Sequence, residues 1–282
     1  MQYLFSNSKK IVSLFAVILI ACTDKKDIPE VIATQAIVDK NWQFETTPIW
    51  QDDFTGTTID ASKWTFETGG NGWGNNELEY YTSGTNSTVT GGNLTITAKK
   101  ESFSGREYTS SRMLTKGKGD WLYGRFVVRA KLPKGRGTWP AIWMLSSDDS
   151  YGNWPASGEI DIMEHVGYDP NNIHFSVHTS AYNHLRGTQK TAAKITAGST
   201  DDFHTYRLDW TPFSVRGYID DVQYFEFVNE NNSFTTWPFN KKFFMILNVA
   251  VGGDWGGAQG IDANAFPASM VIDYVKVYKL IE

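Results

Sequence analysis

Cysteine is nearly absent. The 282 residues contain one, Cys22, so no disulfide framework can organise the chain. Also missing is any basic run long enough to make a nucleic-acid stripe. Lys and Arg number 26 against 31 Asp and Glu, a net charge of −5, and no nucleic acid is expected as a partner. The apolar run at 11–21 is too short for a membrane-spanning helix, which needs about 20 residues. No helical period is sustained over three turns. Aromatic residues and glycine are plentiful instead: 15% Phe, Trp and Tyr, with Trp 11 and Gly 25. That mixture suggests sheets and a stacking surface, and the length suits one large β domain or two small ones.

From Trp50 onward the pattern is short strands and turns. Asn93-Leu94-Thr95-Ile96-Thr97-Ala98 alternates after Gly91-Gly92, and residues 123–132 form another strand closed by Pro133 and Gly135. Residues 173–179 set Ile173, Phe175 and Val177 against His174, Ser176 and His178. Further strands are expected at 203–210, 215–219, 223–227, 243–251 and 270–278. Many short strands without internal repeat or second-domain boundary predict a β-sandwich of two antiparallel sheets.

One stretch departs from an ordinary strand: Glu159-Ile160-Asp161-Ile162-Met163-Glu164. Alternation puts Glu159 and Asp161 on one face and Ile160 and Ile162 on the other. It would also bury Glu164 among apolar groups, at high cost to its charge. A β-bulge at Ile162-Met163 returns Glu164 to the carboxylate face. Crowded carboxyls raise the proton affinity of at least one member. Two carboxyls with separated pKa values are what glycoside hydrolysis uses, one attacking sugar carbon and one protonating the leaving oxygen. A solvated acidic edge strand or a cation site is the alternative.

Other segments supply candidate partners. In Thr138-Trp139-Pro140-Ala141-Ile142-Trp143, alternation puts Trp139, Ala141 and Trp143 on one face, a flat shelf that suits the apolar face of a sugar ring. Core packing between sheets would produce the same pattern. Gly72-Trp73-Gly74-Asn75-Asn76-Glu77 reads as a glycine-rich loop at a cleft rim, or as a simple turn. Arg112 is expected beside the acids, holding a carboxylate ionised or binding hydroxyls. His178 is expected on the strand paired with the acidic one, as a site residue or as a structural histidine.

At the N-terminus, Lys9-Lys10 precede the apolar run, which ends Leu19-Ile20-Ala21-Cys22. This resembles the signal segment and lipobox of bacterial lipoproteins, with Cys22 as the lipidated residue; a leftover thiol is the alternative. Thr23 follows, so no aspartate signals inner-membrane retention. The expected organisation is a signal segment at 1–22, a tether at 23–45 and a catalytic domain at 46–282. The expected location is the bacterial cell envelope, at the outer membrane or cell surface, with membrane contact through the lipid only.

The acidic stretch resembles the bulged active-site motif of glycoside hydrolase family 16. Residues 72–77 with Tyr80-Tyr81-Thr82, Trp139-Pro140-Ala141 with Trp143-Met144, Ser176-Val177-His178-Thr179, Phe203-His204-Thr205-Tyr206, Ile246-Leu247-Asn248 with Val251-Gly252-Gly253, and Val271-Ile272-Asp273-Tyr274 are similar to its laminarinase-like branch. The resemblance implies a β-jelly-roll sandwich with a cleft along its concave sheet. It implies Glu159 as nucleophile, Glu164 as acid/base and Asp161 between them. Trp139 and Trp143 would line subsites, and Asn75, Arg112 and His178 would bind substrate or nucleophile. The implied activity is retaining endo-hydrolysis of β-1,3-glucan by a monomer without a catalytic cofactor. Mixed-linkage glucan, galactan, non-catalytic glucan binding and transglycosylation through the same covalent intermediate are the alternatives. The resemblance further implies a structural calcium held by the carbonyls of Asp53 and Gly92 and the side chain of Asp273; an Asp273 bonded to nearby backbone is the alternative.

Overall fold

The computed structural model describes residues 36–281, so Cys22 and the expected signal segment lie outside the described residues. Two sheets, antiparallel except where Glu79–Tyr81 pairs in parallel with Arg106–Ser110, stack around an apolar core. The cleft sheet runs, in spatial order, Lys190–Ile195, Asn172–His178, Glu159–Glu164, Thr138–Ser146, Phe243–Val251, Arg112–Leu114 and Thr65–Glu67. The back sheet has Gly124–Lys131 and Ala268–Tyr278 at its centre. The architecture is the expected all-β jelly-roll sandwich. Its helical content among the described residues is two 3₁₀ turns, and no described helix is long and apolar enough to cross a membrane.

Alternation explains the layers. In Gly124–Lys131, Phe126, Val128 and Ala130 point into the core while Arg125, Arg129 and Lys131 point outward. Across the sandwich they meet the core cluster that includes Ile142, Met144, Ile160, Met245, Leu247 and Val249. Phe243–Val251 is buried on both faces. Its Phe244 and Ile246 join Leu114 in a second apolar cluster against Trp143 and Leu145. This strand therefore reads as a continuous apolar run, broken by Asn248.

Phe243–Val251 is bounded as the sequence predicts. The other expected strands differ by one or two residues at their ends, except that the strand from Asn93 runs on to Phe103. Residues 36–45, expected in the tether, fall in the same compact unit as the residues that follow them. Gln43–Phe44 pairs with Leu280–Ile281. Asp39 accepts from Arg216 at 2.7 Å, Asn231 Oδ1 accepts from the Ile37 amide at 2.8 Å, and Arg125 lies 4.6 Å from the Phe44 ring. A two-residue strand and scattered polar contacts carry no period, which is why composition alone reads as linker.

Candidate active site

The acidic strand contains the bulge. Against Thr138–Ser146, Trp143 faces Asp161 and Ile142 faces Met163, so Ile162 has no partner. On its other side Asp161 faces Ser176 and Glu164 faces His174, three steps against two. Ile162 and Met163 are both buried in the core. That double inward turn aims Glu164 at the same cleft as Glu159 and Asp161, as the sequence predicts.

Each outer carboxyl has its own tryptophan. Trp154 Nε1 donates to Glu159 Oε2 at 2.7 Å, and Trp139 Nε1 donates to Glu164 Oε1 at 3.1 Å. His178 lies opposite Glu159 in the ladder, its Nε2 3.3 Å from Asp161 Oδ2 and 3.9 Å from Glu159 Oε1. Burial pushes the Asp161 carboxyl well above the usual range, and the charge of Glu159 adds to the shift. Burial pushes Glu164 well up too, and any charge on Asp161 would push it further. Both therefore hold protons where an ordinary carboxyl would not. Glu159, Asp161 and His178 also offer ligand atoms all within 4.8 Å of one another, a set able to hold a metal.

These groups line a cleft of roughly 820 Å³. Trp139, Ala141 and Trp143 form its floor, as alternation predicts, while Ile142 and Met144 face the core. Trp143 Nε1 donates to Asn248 Oδ1 at 2.7 Å, and Asn248 Nδ2 donates to the Tyr81 hydroxyl at 3.0 Å. Asn75 sits at the rim, its side chain 3.4 Å from Glu77 and its carbonyl accepting from the Asp254 amide at 2.8 Å. Asn76 Nδ2 donates to Asp254 Oδ1 at 2.8 Å, so the loops at 72–77 and 252–260 clasp each other.

Arg112 lines the cleft but is not beside the acids. Its strand is three strands from theirs, about 14 Å across the sheet at ~4.8 Å per strand. Its carboxylate partner is Glu67 at 2.5 Å, and its guanidinium lies between Trp73 and Trp143, 4.9 and 4.7 Å from the ring centroids. Strand order, which one sequence does not print, decides this. Trp154, Asn248, Asp254 and Trp255 are among the cleft residues that escaped the sequence reading. Trp154 sits in Asn153-Trp154-Pro155, five positions before Glu159. Trp255 packs edge-on against Trp139 and His174, at 5.6 and 4.9 Å. Asn248 had a readable signal, being the polar residue in an otherwise apolar strand. Asp254 had none.

The residues expected to hold calcium lie on or next to neighbouring strands of the back sheet. Asp273 is skipped by the pairing, since Arg129 faces Tyr274 and Ala130 faces Ile272. The neighbouring ladders reach Asp52 opposite Val275 and Leu94 opposite Ile272, which brings Asp53 and Gly92 toward that bulge. Two carbonyls and a carboxylate suit a hard cation. The Asp273 carboxylate is ion-paired with Arg129, not bonded to backbone, and Asp53 lies 3.3 Å from Lys276.

A strand that delivers three carboxyls into an aromatic-floored cleft on a jelly roll is the architecture of a carbohydrate-active protein of the sandwich type. The model of the glycosyl hydrolases family 16 matches residues 74–276, and the chain belongs to that family. It is 50% identical to a beta-glucanase of Rhodothermus marinus over 244 residues, 83% of this chain and 85% of that protein. The laminarinase structure from Rhodothermus marinus superposes with a TM-score of 0.83 at 49% identity, covering 86% of this chain and 99% of that one. SCLam, a non-specific endo-β-1,3(4)-glucanase, superposes with a TM-score of 0.78 at 45% identity, covering 86% and 93%.

Proposed function

We propose that the protein is a retaining endo-β-1,3-glucanase acting by double displacement. The observation that carries this is the bulged strand with its two tryptophan-held glutamates over a tryptophan floor. Trp154 occupies Glu159 Oε2 and leaves Oε1 to attack the sugar carbon. Glu164, kept protonated by burial, donates to the leaving oxygen. Asp161, also kept protonated, adds no second negative charge beside the nucleophile. Water, deprotonated by Glu164, then releases the sugar with its configuration retained. Trp139 and Trp143 stack on sugar rings, and Asn75, Arg112 and His178 bind hydroxyls or orient carboxyls.

Charge favours a neutral polymer. Five carboxyls line the cleft: Glu77, Glu159, Asp161, Glu164 and Asp254. Among the described lining residues Arg112 is the one Lys or Arg, and Glu67 already pairs with it. A sulfated galactan would find no free cation there. The test is product analysis on laminarin, barley mixed-linkage glucan and agarose. Oligosaccharides from laminarin support the reading, faster release from barley glucan moves the preference to mixed linkage, and release from agarose alone overturns it.

Two further readings belong to the same proposal. Calcium at Asp53, Gly92 and Asp273 is supported by their place on or next to neighbouring strands and by their donor chemistry. Lipid anchoring at Cys22, envelope location and a monomeric state rest on the sequence. A Cys22→Ser variant that still matures and partitions with membranes removes the anchor.

A further inference from the structure

Glu159, Asp161 and His178 are more than a sugar-binding group. Asp161 is 2% exposed, and its Oδ2 has no hydrogen-bond partner while facing His178 Nε2. We infer that these three side chains form an inhibitory site for a divalent transition cation of the zinc class.

Zinc binds carboxylate oxygen and imidazole nitrogen at about 2.0–2.2 Å, which places tetrahedral ligand atoms about 3.4 Å apart. The gap from His178 Nε2 to Asp161 Oδ2 is 3.3 Å, already that value. The gap to Glu159 Oε1 is 3.9 Å, and a carboxylate shift of about half an ångström closes it. Trp154 holds the other oxygen of Glu159 and orients its carboxylate toward the ion, as outer partners of metal ligands do. Asp161 releases its proton to solvent as the ion binds, and three protein ligands leave the fourth position open to the cleft. Calcium and magnesium fit poorly, because the set is small and contains nitrogen. The ion takes the oxygen that would attack sugar, and it stands where the sugar binds. It therefore inhibits competitively and reversibly.

This goes beyond the glucanase reading and is tested first without substrate. The full chain, stripped with chelator, is titrated with zinc by calorimetry. One cleft ion is expected, and its affinity should fall at least about ten-fold in His178→Ala and in Asp161→Asn. His204→Ala, whose ring is 2.6 Å from Asp220 away from the cleft, should bind as the parent does. On laminarin, zinc should raise KM with kcat unchanged, chelator should reverse it, and equal calcium or magnesium should not inhibit. No zinc uptake, uptake unchanged in both ligand variants, or inhibition of kcat alone overturns the site. Inactivity on every glucan would count against the glucanase reading and leave the binding result standing.

Discussion

The two glutamates of one strand live in different surroundings. Glu159 sits where three polar groups converge: the Trp154 N–H, the His178 ring and Asp161. Glu164 has one such donor, Trp139, and the pair His174–Trp255 packs beside that tryptophan. The bulge separates the two settings by setting two consecutive residues, Ile162 and Met163, into the core. Identical side chains thus meet different surroundings, and at the dry end desolvation favours the proton of Glu164.

The largest expected effect tests that division directly. Glu159→Ala should lower kcat on laminarin by at least about 10⁴-fold, as loss of a covalent nucleophile does. Glu164→Ala should lose natural substrates similarly but still glycosylate from an activated aryl glucoside. Added azide should restore its turnover and give a β-glycosyl azide, whereas the Glu159 variant should give the α-azide. The opposite products would exchange the roles.

Next in size are the two donors. Trp154→Phe and Trp139→Phe each remove one N–H bonded to a carboxyl, worth about 1.5–3 kcal/mol, or roughly ten- to hundred-fold in rate. The distinguishing readout is pH. An N–H donated to a carboxylate favours its ionised form, and Trp139 holds Glu164 down against its burial. Trp139→Phe should therefore raise that pKa further and move the alkaline limb, where the acid loses its proton, to higher pH. An unmoved limb would mean that Trp139 serves only as floor.

The dry end has a second marker. His165, directly after Glu164, is fully buried with both ring nitrogens unpartnered, and burial pushes its pKa down from 6.5 to about 4. The same desolvation raises an acid and lowers a base. The fold holds His165 neutral, whereas the unfolded chain binds its proton below pH 6.5. Its contribution is therefore fully present above about pH 6.5 and is lost as pH falls toward 4, by up to about 3 kcal/mol. Melting temperatures at pH 7 and 4.5 should differ less in His165→Phe than in the parent. Equal differences would remove His165 as the source.

What could be read beforehand follows from what has a period. The acids, the bulge and the Trp139–Ala141–Trp143 floor were legible because alternation of two assigns faces, and because Glu164 breaks it at visible cost. Trp154, Asp254 and Trp255 were not, since they stand on loops whose contacts come from chain folding. Arg112 lay on a recognised segment, but its distance from the acids depends on strand order. The resemblance to a family reached the floor and acids, yet not the clasp between the loops at 72–77 and 252–260.

The smallest effect on activity is expected from the back sheet, which contrasts with both ends of the acidic strand. Asp273 faces away from the cleft across the whole core, so a cation there changes stability and not chemistry. Calcium at a hundred times its dissociation constant would add about 2.7 kcal/mol to a fold that binds it. That corresponds to roughly 5–10 °C in melting temperature for a domain of this size. Without the ion, Arg129 neutralises the Asp273 carboxylate, so the apo protein should remain folded. Chelator should therefore lower the melting temperature of the parent, leave its room-temperature kcat and KM unchanged, and have no effect on Asp273→Ala. A chelator effect of equal size in parent and variant would place the ion elsewhere. A loss of kcat on chelation would mean that the two sheets are coupled more tightly than the comparison of their surroundings implies.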